Sequence, residues 1–134
     1  MEVLHMSKQH SSPKPALSID MKHNLIRIHR VTLTTLGNPD YIQLLVNPDD
    51  RSIAITTGIS KDKLAHHVSY EKLNRGQSFE LHSMNLLQNL LSISEQCETM
   101  KAYRIYGKYV PEHNIVKFPI EECVLYGSER INNG

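Results

Sequence analysis

The side chains best suited to chemistry in this chain are basic, and they cluster. Residues 22–30 hold Lys22, His23, Arg27, His29 and Arg30 without a carboxylate, while Asp40, Asp49, Asp50 and Asp62 come later. Such residues suit phosphate oxygens, because a guanidinium donates in a planar fork and an ammonium acts as a point charge. A second set, Arg104 and Lys108, is spaced to share one face of a strand, with Tyr103, Tyr106 and Tyr109 interleaved. Basic residues between aromatic rings form the pattern of a surface that grips a backbone and stacks bases. The candidate nucleic-acid-binding residues are therefore Lys22, Arg27, His29, Arg30, Arg104 and Lys108. The plain alternative is that these charges form a solvated face and the tyrosines pack the sheet.

Other chemistries find less support. The eight histidines, at positions 5, 10, 23, 29, 66, 67, 82 and 113, make no HxxxH or HExxH spacing. His66 and His67 are adjacent, so in a strand they point to opposite faces. Neither a metal site nor a cofactor is expected. The two cysteines, Cys97 and Cys123, show no CxxC spacing and read as small buried hydrophobes in a reducing compartment. The pairs Asp49-Asp50 and Glu121-Glu122 would need a cleft between them to act as acid and base. No GxSxG is present, and all six glycines are isolated, which leaves no phosphate-cradling loop. The expectation is a protein that is not an enzyme.

At 134 residues the chain has the length of one domain, and its formal net charge of +1 gives no general drive toward nucleic acid. Any such binding must come from local asymmetry. No run approaches the roughly 18 apolar residues needed to span a bilayer, and the amino-terminal stretch lacks a secretory signal's apolar core. A cytoplasmic location and no membrane partner are expected.

The elements that would position these residues repeat. A strand over 25–28, a helix over 29–36 and a hairpin over 41–46 and 52–56 are followed by a strand over 79–82, a helix over 84–97 and a hairpin over 103–110 and 114–118. Apolar residues at 17, 19 and 21 add a strand before the first unit, with Lys22, His23 and Asn24 turning the chain. Gly37 before Asn38-Pro39 stops the first helix. Asn47-Pro48-Asp49-Asp50 is a turn on chemical grounds, since proline presets φ and Asn and Asp close Asx turns. Ser83 is the N-cap of the second helix, whose Leu87, Leu90, Leu91, Ser94 and Cys97 share one stripe. The near-continuous apolar run 41–46 predicts a central strand covered on both faces.

The predicted class is α+β: two strand–helix–hairpin units sharing one core, with one long amphipathic helix at about 84–97. Residues 1–15 form a disordered tail, 16–126 a single domain (first unit 16–58, linker 59–77, second unit 78–126), and 127–134 a flexible tail. A strand covered on both faces needs more cover than short helices supply, so a homodimer is expected.

Residues 25–57, a strand, a short helix closed by Leu36-Gly37 and a hairpin, resemble the swapped-hairpin DNA-binding unit of AbrB-like and MraZ-like bacterial regulators. The resemblance implies DNA contact through Arg27, His29 and Arg30 and a dimeric or tandem arrangement. It covers about a quarter of the chain. This sequence departs from the family in lacking the proline after the first strand and in its longer second helix. Residues 36–48 also look like a small family from bacterial genomes and their mobile elements, which implies a bacterial or phage origin and no activity. The leading function is thus a small nucleic-acid-binding or regulatory protein. The alternative is a protein-interaction module, an adaptor or inhibitor that binds no nucleic acid, with a small hydrolase third.

Overall fold

The computed structural model describes residues 14–76, 78–94, 97, 98 and 100–126. Their hydrophobic pattern alternates far more often than it follows a helical period, and strands dominate accordingly. β1 (Ala16–Asp20) and β2 (Leu25–His29) form a hairpin in the register Leu17 to Ile28 and Asp20 to Leu25. Asn24 closes its turn at φ 53°, and Asp20 Oδ1 accepts the backbone N–H groups of Lys22 and His23.

A single short helix, α1 (Arg30–Thr35), then carries the chain away from β2. Threonine is a poor helix former, but here two hydroxyls are used. Thr35 Oγ1 donates to the Val31 carbonyl, and buried Thr32 Oγ1 both accepts the Ala16 N–H and donates to the Ala16 carbonyl. Gly37, at φ 90°, ends the helix: its N–H reaches the Thr34 carbonyl, and the Asn38 N–H reaches that of Leu33. This is a Schellman cap, and it satisfies two otherwise orphaned carbonyls.

β3 (Tyr41–Asn47) and β4 (Ser52–Thr57) form the expected hairpin, with Asn47 Oδ1 accepting the Asp49 N–H at 2.9 Å in the turn. The segment 59–77, expected as a linker, contains β5 (His66–His67), paired with β3, and a helix, α2 (Tyr70–Gly76). β6 (Ser78–His82) pairs with β2, and α3 (Met84–Ile93) follows it. Ser83 caps α3 as expected, its hydroxyl accepting the Leu86 N–H. β7 (Ala102–Tyr106), β8 (Lys108–Val110), β9 (Ile115–Pro119), a 3-10 turn (Ile120–Glu122) and β10 (Val124–Tyr126) complete the order.

Among the described residues ten strands form two five-stranded sheets with the orders β10-β7-β1-β2-β6 and β5-β3-β4-β9-β8, every pairing antiparallel. One core joins them. It takes Leu17, Ile19, Ile26, Ile28, Tyr103 and Ile105 from the first sheet and Ile42, Ile53, Ile55, Val116 and Phe118 from the second. Leu87 and Leu90 of α3 are buried in the same cluster. Burying each such side chain contributes roughly 1.5–3 kcal/mol, so the two inner faces carry most of the stabilisation.

This architecture corrects the expected class. The fold is mostly β rather than α+β, and the two units do not stay together: β2 lies in the first sheet, whereas the β3–β4 hairpin lies in the second. The long helix at about 84–97 is also corrected. α3 has ten residues, and Ser94 leaves it with φ −118° and ψ 130°. There the Ser94 hydroxyl accepts the Cys97 N–H, which competes with continuation of the helix. Cys97 is buried all the same, so its fit to the apolar stripe is coincidental.

β3 is covered on one face only. Ile42 is fully buried, but Leu45 on the opposite face is 46% exposed, which removes the premise for the homodimer. The tails expected over 1–15 and 127–134 lie outside the described residues, save Lys14 and Pro15, which lead directly into β1. No helix among the described residues is long and apolar enough to cross a membrane.

Candidate nucleic-acid interface

Alternation along β1, β2 and β7 decides which side chains meet outside the first sheet. Leu17, Ile19, Ile26, Ile28, Tyr103 and Ile105 point into the core, so Ser18, Arg27, His29, Arg104 and Tyr106 must point out. The register places Val124, Arg104, Ser18, Arg27 and Glu80 in one row across all five strands. Arg104 and Arg27 thus flank Ser18 from the two adjacent strands, their Cα atoms roughly 10 Å apart by strand spacing.

Ser18 is small and nearly inaccessible, 4% exposed, with its Oγ and His29 Nε2 sharing a hydrogen bond of 2.8 Å. Burial pushes the His29 pKa below its ordinary value of 6.5, and the nearby charges of Arg104 and Arg27 push it in the same direction. The two arginines therefore lie close enough to act on the His29 ring, as the strand register requires. Arg27 Nε donates to Glu80 Oε2 at 3.0 Å, an ion pair with both side chains well exposed. Such pairs are worth about 0–1 kcal/mol, so Arg27 can exchange Glu80 for another anion at little cost.

The six expected residues divide. Arg27, His29 and Arg104 are brought together. Lys22 sits in the β1–β2 turn, at the opposite end of the hairpin from His29, and is exposed. Arg30 opens α1, where its charge acts on the Tyr70 phenol beside Asp40 rather than on the Ser18 cluster. Lys108 belongs to the second sheet and faces Lys117 across the β8–β9 pair. Lys117 is held by Asp50, whose other oxygen accepts from Ser52.

The tyrosines divide as well. Tyr103 is in the core, its hydroxyl accepting the Glu98 N–H. Tyr109 donates its hydroxyl to Asn114 Oδ1 at 2.7 Å. Of the three, Tyr106 is the one that stands outward beside Arg104, 45% exposed. Ser18 is a residue that sequence reasoning missed, although a lone serine between Leu17 and Ile19 marks the outward position of that strand.

Two further features bear on what the chain can do. A cavity of ≈ 690 Å³ lies beside β6 and is lined by His67, Lys72, Phe79, Glu80 and His82 among others. The Cys123 thiol is pushed up to about 11 by burial and by Cys97 alongside it, so it carries almost no thiolate at neutral pH and is a poor nucleophile. Comparison with family models, with curated proteins and with solved structures finds no match for the chain.

Proposed function

We propose that this is a non-enzymatic protein that binds nucleic acid through the outer face of the β10-β7-β1-β2-β6 sheet. The observation that carries the reading is the meeting of Arg27, His29 and Arg104 around Ser18. Two guanidiniums carried on the strands either side of a small hydroxyl supply donors for one phosphate, and sheet faces are broad enough to follow a backbone. Cys123, held in its neutral form, supports a binding role over nucleophilic chemistry.

The test is a gel shift at low salt with mixed-sequence DNA and RNA. Arg27→Ala combined with Arg104→Ala should weaken binding to every sequence and flatten the salt dependence by roughly one unit for each phosphate no longer neutralised. Lys63→Ala, an exposed position away from the sheet, serves as control. Binding that is absent, or that survives the double substitution, would remove the reading.

A second reading, a protein-interaction module, is favoured by β6. Among the described residues that strand pairs with β2 alone, which leaves its other edge, beside the ≈ 690 Å³ cavity, without a strand partner. Pull-downs that recover a protein partner with wild type and lose it with Glu80→Pro would favour it.

A further inference from the structure

We infer that the nucleic acid taken by this face is single-stranded and runs along β7 and β8, with one base stacked on Tyr106. The inference rests on the reading of the sheet face as a phosphate-binding surface and adds the class of ligand. Along this stretch Tyr103, Ile105 and Gly107 are buried, and Arg104, Tyr106 and Lys108 alternate with them. Gly107 is pressed against Phe118 and Val116, which fixes the inward side at the point where the chain passes from one sheet to the other. The neighbouring side chains must therefore leave on the outward side.

The result is a cation, a ring and a cation in series. Two residues of strand advance about 6.6 Å, so the three side chains span roughly 13 Å of one edge-to-edge path. Tyr106 and Lys108 wall the same ≈ 350 Å³ cavity, together with Val110, Lys117 and Pro119. Among the described residues no ring stacks on Tyr106 and nothing hydrogen-bonds its hydroxyl. The path has acidic neighbours: Asp50 pairs with Lys117, and Glu122 lines the cavity. Among the described residues Lys108 has no such ion pair, so a phosphate can reach it without displacing a carboxylate.

A duplex fits less well. Five strands at about 4.8 Å spacing make a face roughly 19 Å wide, against a major groove of about 12 Å. The β8–β9 pair is no free ribbon either, because β9 is hydrogen-bonded to β4. α1 turns its buried Thr32 and Leu33 onto the sheet and is six residues long. An exposed ring contributes little to gripping phosphates of a closed duplex, whereas an unpaired base of any kind can stack on it.

The experiment uses the full chain and fluorescence anisotropy with a labelled mixed-sequence single strand of about 20 nucleotides and the duplex made from it. The single strand should bind more tightly. Tyr106→Ala should weaken single-strand binding by about five-fold to a hundred-fold and leave duplex binding unchanged, while Tyr106→Phe should retain affinity. Lys108→Ala should lower the salt slope by about 0.7, the value for one phosphate of a single strand. Urea unfolding of each variant confirms that it is folded. Tighter duplex binding, or a Tyr106→Ala variant that holds the single strand as well as wild type, overturns this inference and leaves the phosphate-binding face standing. No binding of either form overturns both.

Discussion

A Cβ added to Gly107 would lie 2.6 Å from Phe118 Cε2 and 2.8 Å from Val116 Cγ1, both well inside contact distance. The chain passes from β7 to β8 here, and the Gly107 N–H donates to the Pro15 carbonyl at 2.9 Å. Phe118 is fully buried and cannot retreat toward solvent. Gly107→Ala should therefore cost about 1–3 kcal/mol, the usual range for overpacking a filled core. A urea-unfolding midpoint equal to that of wild type would show that the crossing tolerates a side chain.

Glu80 faces Arg27 across the β2–β6 pair, and its carboxylate accepts from that guanidinium. Glu80→Gln removes a negative charge from the face and releases the guanidinium. Stability should change by no more than about 1 kcal/mol, because the pair is exposed. Nucleic-acid affinity at low salt should rise. An affinity that falls instead would mean that Glu80 positions Arg27 rather than competing for it.

What could be read from the sequence follows a physical divide. The β3–β4 hairpin was legible because alternation and an Asx turn are local, and Asn47 and Asp49 need no distant partner. The Gly37 cap and the Ser83 N-cap were legible for the same reason. The two-sheet arrangement was not, because nothing local in β2 or β4 says which sheet each will join. The outward direction of Arg104, Tyr106 and Lys108 follows from strand period alone. The convergence of Arg27, His29 and Arg104 required the β2-β1-β7 register, which pairs residues far apart in the chain. Leu45 shows the reverse error: an apolar residue in an apolar run was assigned to a covered face, yet it stands on the exposed one.

His29 predicts a pH dependence. Burial, then Arg104 and Arg27, hold its folded pKa below 6.5, so the unfolded chain takes up a proton where the folded chain resists it. Its stabilisation is complete above about pH 6.5 and is lost as pH falls through that value toward the lower folded one. His66, lowered by burial, acts in the same direction. Urea midpoints taken between about pH 7.5 and pH 5.5 should fall for wild type and fall less for His29→Gln. Equal slopes for the two proteins would show that His29 carries no linked proton.

The helix α3 offers a graded test of the core. Leu90 is fully buried and Leu87 nearly so, whereas Leu91 is only partly covered against the same cluster. The helix packs toward β3, with Asn89, Ser92 and Ile93 facing Val46 and Pro48 across a shallow cavity. Truncating a leucine with no solvent exposure removes its transfer free energy and leaves a void that rigid strands cannot close. Leu90→Ala should therefore cost about 2–5 kcal/mol. Leu91→Ala leaves a gap that water can enter from the open side, and it should cost clearly less. Thermal or urea unfolding of the two variants should rank them in that order. A reversed order would mean that α3 is rotated about its axis, since a helix turned by one position would exchange the environments of adjacent leucines.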